Sequence, residues 1–104
     1  MDSEIHFEVA SILGKRIRVT KDYWNKIIGT KHALMKHKEN FVKETLKNPE
    51  HIRRSRKDSN VYLYYKKTNG NHICVVARHL NGDGFIITTY ITDRIKAGEG
   101  YEAD

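Results

Sequence analysis

Six histidines, one dense run of bases and a set of tyrosines and threonines are the side chains of this sequence that could do chemistry. Cleaving an RNA strand through its own 2′-hydroxyl asks for a base to take that proton, cations to hold the charged phosphorane and an acid for the leaving oxygen. Histidine, arginine, lysine and tyrosine can share those duties. His32 follows the Gly29-Thr30 break between two helical stretches, a place from which a side chain can reach over a sheet instead of packing beneath it. His37 has the same ambiguity as any loop histidine between a surface role and a chemical one. Arg53-Arg54-Ser55-Arg56-Lys57 offers forked N–H donors that match phosphate oxygens, although such a run also suits a solvated strand edge.

Other chemistries find less support. His6, His32, His37, His51, His72 and His79 show no ligand spacing known for a metal, and the single cysteine leaves no second thiolate for a zinc site, so no metal and no cofactor are expected. Asn69-Gly70 and Gly82-Asp83-Gly84 read as turns between strands, not as a phosphate-cradling loop before a helix. Cys74 lies within Ile73-Cys74-Val75-Val76-Ala77 and reads as a small buried hydrophobe, which suits a reducing compartment. Nineteen Lys and Arg against thirteen Asp and Glu give a formal charge of +6, which attracts polyanions over distance. Acids at the start of the chain do not resemble a signal peptide and no apolar run is long enough to span a bilayer, so a cytoplasmic protein with no membrane partner is expected.

These groups have to be held by one domain, since 104 residues, 38% of them apolar, supply a single modest core. Residues 1–96 are read as that domain and 97–104 as a flexible tail. Ile5, Phe7 and Val9, then Ile17 and Val19, alternate as two short strands do. Thr20 can cap a helix that carries Tyr23, Trp24, Ile27 and Ile28 on one stripe and stops at Gly29. A second helix is expected from Leu34 to Lys47, burying Leu34, Phe41, Val42 and Leu46, with Asn48-Pro49 as its end. Beyond Pro49 the period becomes two: an extended His51 to Lys57, then strands over 61–67, 73–80 and 85–92. The fold class is therefore α+β, with N-terminal helices on one face of an antiparallel meander.

Turn chemistry sets a register. With Asn69-Gly70 as a two-residue loop, Tyr64 lies opposite Val75 and Leu63 opposite Val76. With Gly82-Asp83 as the next, Val75 lies opposite Tyr90 and Ala77 opposite Thr88. Alternation then assigns Val61, Leu63, Tyr65, Cys74, Val76, Leu80, Phe85, Ile87 and Ile91 to the helix-covered face. The other face receives Tyr62, Tyr64, Lys66, Ile73, Val75, Ala77, His79, Ile86, Thr88, Tyr90 and Thr92, a surface able to stack bases and hold phosphate beside Arg53, Arg54, Ser55 and Arg56.

Four stretches in order, Leu13-Gly14-Lys15-Arg16-Ile17-Arg18-Val19-Thr20 leading to Trp24 and Ile27, Ser55-Arg56-Lys57-Asp58, Leu63-Tyr64-Tyr65 and Phe85 through Asp93, resemble the phage-associated nuclease-like domains grouped with barnase, EndoU, the tRNA-cleaving colicins and RelE. The resemblance spans roughly residues 12–98. It implies a barnase/RelE-like α+β fold with an RNA site on the sheet face away from the helices, and it matches Thr88, Tyr90, Tyr64, Ser55, Arg56 and His32 to family positions. Lys26 stands where relatives often carry a second histidine, and the loop around His32 differs in length by one residue. The resemblance further implies a toxin-type endoribonuclease that leaves a 2′,3′-cyclic phosphate, with His32, Arg56, Tyr64, Thr88 and Tyr90 as catalytic candidates. Arg53, Arg54, Ser55, Lys66 and His79 are the further RNA-binding candidates, and an antitoxin or immunity protein is a further partner such a toxin would have. A non-catalytic RNA- or ribosome-binding module, or an interaction protein for an acidic partner, are the other readings of the same features.

Overall fold

In a computed structural model that describes residues 4–30, 32–95 and 99–101, Asn69 and Gly70 adopt φ of 42° and 84°, the left-handed backbone that a two-residue hairpin requires. They join β4 (Val61–Thr68) to β5 (Asn71–His79). The register is the expected one, Tyr64 opposite Val75 and Leu63 opposite Val76. β3 (His51–Arg54) flanks β4, and β6 (Asp83–Thr92) flanks β5, both antiparallel. The predicted meander is thus present, but it is only part of the sheet.

β1 (Ile5–Ala10) and β2 (Arg16–Thr20) form an antiparallel pair, as their alternation predicts. β2 then joins β6 in parallel through Arg16, Ile17 and Arg18 opposite Asp83, Gly84 and Phe85. At the far edge β7 (Glu99–Tyr101) pairs with β3. The result is a mixed seven-stranded sheet, ordered β1-β2-β6-β5-β4-β3-β7, in place of a purely antiparallel one. Of the segment read as a tail, residues 99–101 form β7, and residues 97, 98 and 102–104 lie outside the described residues.

Two helices pack on the sheet. α1 (Lys21–Thr30) begins where Thr20 Oγ1 accepts from the Tyr23 N–H at 3.2 Å, the anticipated cap. It buries Trp24 and Ile27. α2 (Glu39–Lys47) lies across β5, β4 and β1 and buries Val42, Thr45 and Leu46. The helix expected from Leu34 is broken. Ala33–Met35 form one 3₁₀ turn, and His37 takes a φ of 66°, which stops a right-handed helix from running through. Met35 consequently supplies the buried contact, while Leu34 is 74% and Phe41 52% exposed. No helix among the described residues is long and apolar enough to cross a membrane.

The core lies between the helices and one face of the sheet, and it is the face opposite to the one expected to carry the helices. Phe7, Val9, Ile17, Val19, Trp24, Met35, Val42 and Leu46 pack with Ile52, Tyr64, Ile73, Val75, Ala77 and Ile86. Leu63, Tyr65 and Cys74 form a second small cluster with Val76, Tyr90 and Ile95 against it. Alternation puts that cluster on the face away from the helices. Leu80 and Phe85, expected in the core, are instead partly exposed.

Gly84 sits where β2, β5 and β6 meet, paired with both Ile17 and His79. A Cβ there would overlap the Arg78 carbonyl oxygen and stand 3.0 Å from Ile17 Cδ1. Gly84→Ala should therefore lose about 1–3 kcal/mol of stability by urea denaturation; an unchanged midpoint would mean that the three strands separate there without cost.

Candidate functional site

Side-chain direction in β6 is decided by one irregularity. The turn before it is Asn81-Gly82, with Gly82 at φ 88° and the Leu80 N–H donating to the Asp83 carbonyl at 2.6 Å. His79 then pairs with Gly84 and Ala77 with Ile86, but Val76 pairs with Thr88. Ile87 is the extra residue, a β-bulge, and beyond it the strand has rotated by one position. Ile86 points to the helices with Ala77, whereas Thr88 and Tyr90 stand opposite Val76 and Cys74 on the outer face. Thr89, their neighbour, is buried on the helix side and donates to the Cys74 carbonyl at 2.8 Å.

On that outer face a concavity of about 470 Å³ runs from β3 to β6. Val61, Leu63 and Val76 form its floor, Thr88 and Tyr90 one wall, and Arg53, Arg54, Ser55, Arg56 and Lys57 the other. The basic wall is built by a tight loop. Ser55 Oγ accepts from the Lys57 N–H at 3.2 Å, and Asp58 Oδ1 accepts from the Asn60 N–H at 3.0 Å. Asp58 is also ion-paired with Arg78. The Asn60 amide, and then Arg78, hold the Asp58 carboxyl below its usual range. Arg56 and Lys57 are left exposed at the tip.

His32 does not line the concavity, but its ring centroid is 5.6 Å from that of Tyr90. It immediately precedes the 3₁₀ turn Ala33–Met35, which lies against β6. Burial, and then Cys74, push the Tyr90 phenol above its ordinary range, so it keeps its proton. The arrangement can hold a phosphate against guanidinium groups, seat an apolar ring on the floor and move a proton at an imidazole. Among the described residues, no three of His, Cys, Asp and Glu come together in a group that could hold a metal ion.

Seven of the ten expected site residues are brought together: His32, Arg53, Arg54, Ser55, Arg56, Thr88 and Tyr90. Tyr64, Lys66 and His79 are not. All three lie on the helix side of β4 and β5, because pairing register says which residues face alike and not which face the helices cover. Tyr64 is fully buried, its hydroxyl donating to Ser11 Oγ at 3.1 Å and lying 2.7 Å from His79 Nε2. Lys66 Nζ donates to the Asn48 carbonyl at 2.9 Å, at the end of α2. The apolar floor is not visible in the sequence: Val61, Leu63 and Val76 alternate as core residues would, and only the packing of the helices on the opposite face reveals them as the base of a cavity.

No family model matches the chain, and no curated protein or solved structure matches it either.

His79 has a structural part to play. Its ring stacks on Tyr62 at 4.0 Å and is only 8% exposed. Burial, and then the charge of Lys15, lower its pKa from the ordinary 6.5 to about 4. Between these two values the unfolded chain takes up a proton that the folded chain refuses. Stability is therefore whole above pH 6.5 and falls as the pH is lowered toward 4, by about 1–3 kcal/mol. Unfolding curves across this range should show the loss in the native protein and a flatter profile for His79→Gln; parallel profiles would remove His79 as the cause.

Proposed function

We propose that the chain is an endoribonuclease of toxin type that cuts RNA through its 2′-hydroxyl, using the outer-face concavity. The observation that carries this reading is convergence. His32, the segment Arg53 to Lys57, and the pair Thr88 and Tyr90 come from three distant parts of the sequence and gather at one place. The resemblance to barnase/RelE-like nuclease domains supports it for His32, Ser55, Arg56, Thr88 and Tyr90, while Tyr64, Lys66 and His79 lie outside the concavity.

In this mechanism Arg56 and Arg53 hold the scissile phosphate, since guanidinium forks match its oxygens and offset charge as the phosphorane forms. His32 takes the proton of the 2′-hydroxyl. O2′ bonds to phosphorus, the P–O5′ bond breaks, and the leaving O5′ takes a proton from water, while the Tyr90 ring holds His32 beside the site. The products are a 2′,3′-cyclic phosphate and a free 5′-hydroxyl. Thr88 offers a hydroxyl to position the ribose. His32 then releases its proton to water.

One observation favours a second reading, an RNA-binding module without cleavage. Among the described residues the cavity walls carry no imidazole, and His32 meets the site only at the Tyr90 ring. Incubation with total RNA in EDTA separates the two. Cleavage is expected to fall about 10²–10⁴-fold in His32→Ala. RNA affinity is expected to fall about ten-fold or more in Arg56→Ala. Native protein as inert as His32→Ala, yet with salt-sensitive binding, would replace the enzyme by the binding module; native protein without RNA affinity would end both.

A further inference from the structure

Beyond Arg18 and Phe85 the strands β2 and β6 separate, and the sheet opens into a fork. Tyr23, from the first turn of α1, spans it by donating its hydroxyl to the Ile87 carbonyl at 2.8 Å. The fork holds a cavity of about 310 Å³ whose lining includes Arg18, Tyr23, Phe85 and Ile86. Both rings are large and yet 38% exposed. Phe85 lies between two guanidinium-bearing neighbours on its own face of the sheet, Arg18 on β2 and Arg78 on β5.

Each of those arginines rests on a carboxylate, Asp83 for Arg18 and Asp58 for Arg78, and all four groups are more than a third exposed. Ion pairs so wetted contribute little, and a phosphate can take the place of the carboxylate. The fork is also next to the outer-face concavity. Phe85 and Thr88 are separated in β6 only by Ile86 and the bulged Ile87, whose carbonyl is the one Tyr23 engages.

We infer that the fork is a base-stacking subsite for single-stranded RNA. The base of a nucleotide next to the one held at Arg56 lies against Phe85 and Tyr23, and its phosphate is met by Arg18. This rests on the RNA reading of the concavity and narrows its substrate. An unpaired strand can splay its bases onto rings, while a duplex keeps them stacked inside and presents neither cavity with a base. The two guanidinium groups beside Phe85 favour this occupant over an apolar segment of a protein, because a phosphate can replace Asp83 or Asp58 as their counter-charge and an apolar segment carries no group to do so.

The test uses fluorescent 2′-O-methyl oligonucleotides, which cannot be cut through the 2′-oxygen, one single-stranded and one a closed hairpin duplex, with affinity read by anisotropy at low salt. Phe85→Leu keeps an apolar side chain but removes the aromatic face. It is expected to weaken the single strand about five-fold or more and to leave the duplex unchanged. A 5-iodouridine strand should crosslink native protein at Phe85 or Tyr23, an outcome that needs no variant to fold. If Phe85→Leu binds as the native protein does and no crosslink forms there, while Arg56→Ala still weakens binding, the subsite is overturned and the RNA reading stands. Native protein that binds neither oligonucleotide overturns both.

Discussion

A single added residue in β6 determines what each face of this sheet can do. With Ile87 paired regularly instead of bulged, the strand would keep one alternation from Asp83 to Thr92, and Thr88 and Tyr90 would point with Ile86 into the helices. The bulge lets Ile86 stay in the core beside Ala77 and returns Thr88 and Tyr90 to the outer face beside Val76 and Cys74. The main chain does not leave the extra residue idle. The Ile87 carbonyl accepts from Tyr23, so the bulge is tied to α1 as well as to the strand.

Much of the chain's organisation is legible in its residues, and what fails does so for definable reasons. Asn69-Gly70 demands left-handed backbone, so the β4–β5 pairing can be placed to the residue. The next turn lies one residue earlier than Gly82-Asp83 suggests, which moves the pairing by two positions and leaves the faces of Ile86 and Ala77 matched. The bulge then moves it back by one, so that from Val76 onward the pairing is one residue from the expected one, and a one-residue slip exchanges every side chain between faces. No residue type announces that event in Phe85-Ile86-Ile87-Thr88-Thr89-Tyr90, where apolar and hydroxyl side chains suit either side.

The choice of covered face is harder still. β4 and β5 are apolar on both sides: Tyr62, Tyr64, Ile73, Val75 and Ala77 on one, Leu63, Tyr65, Cys74 and Val76 on the other. Polarity of the tyrosine hydroxyl suggests an exposed Tyr64, but a buried phenol is tolerated when it has partners. Ser11 and His79, from the β1–β2 connection and the end of β5, supply them. A contact between residues 53 positions apart cannot be read from local pattern. Similarly, Leu34 and Phe41 have the spacing of a helical stripe, and only the left-handed His37 between them shows that they do not share one helix.

The face that the helices leave uncovered is closed only in part. Ile95, from the chain that continues past β6, packs on Leu63, Tyr65 and Cys74, whereas Val61, Leu63 and Val76 remain the floor of a cavity toward the β3 loop. An apolar floor with guanidinium groups on one wall and hydroxyls on the other is not what a surface needs for solubility, since it exposes the groups that water solvates least beside those it solvates most. The same is true of the fork, where Phe85 is left partly open between two arginines. Both openings border Ile87: the concavity begins at Thr88 on one side of it and the fork ends at Ile86 on the other. A distortion of one residue thus places an apolar patch and positive charge on each side of itself, along one face, which is the pattern a flexible polyanion carrying flat apolar rings would match.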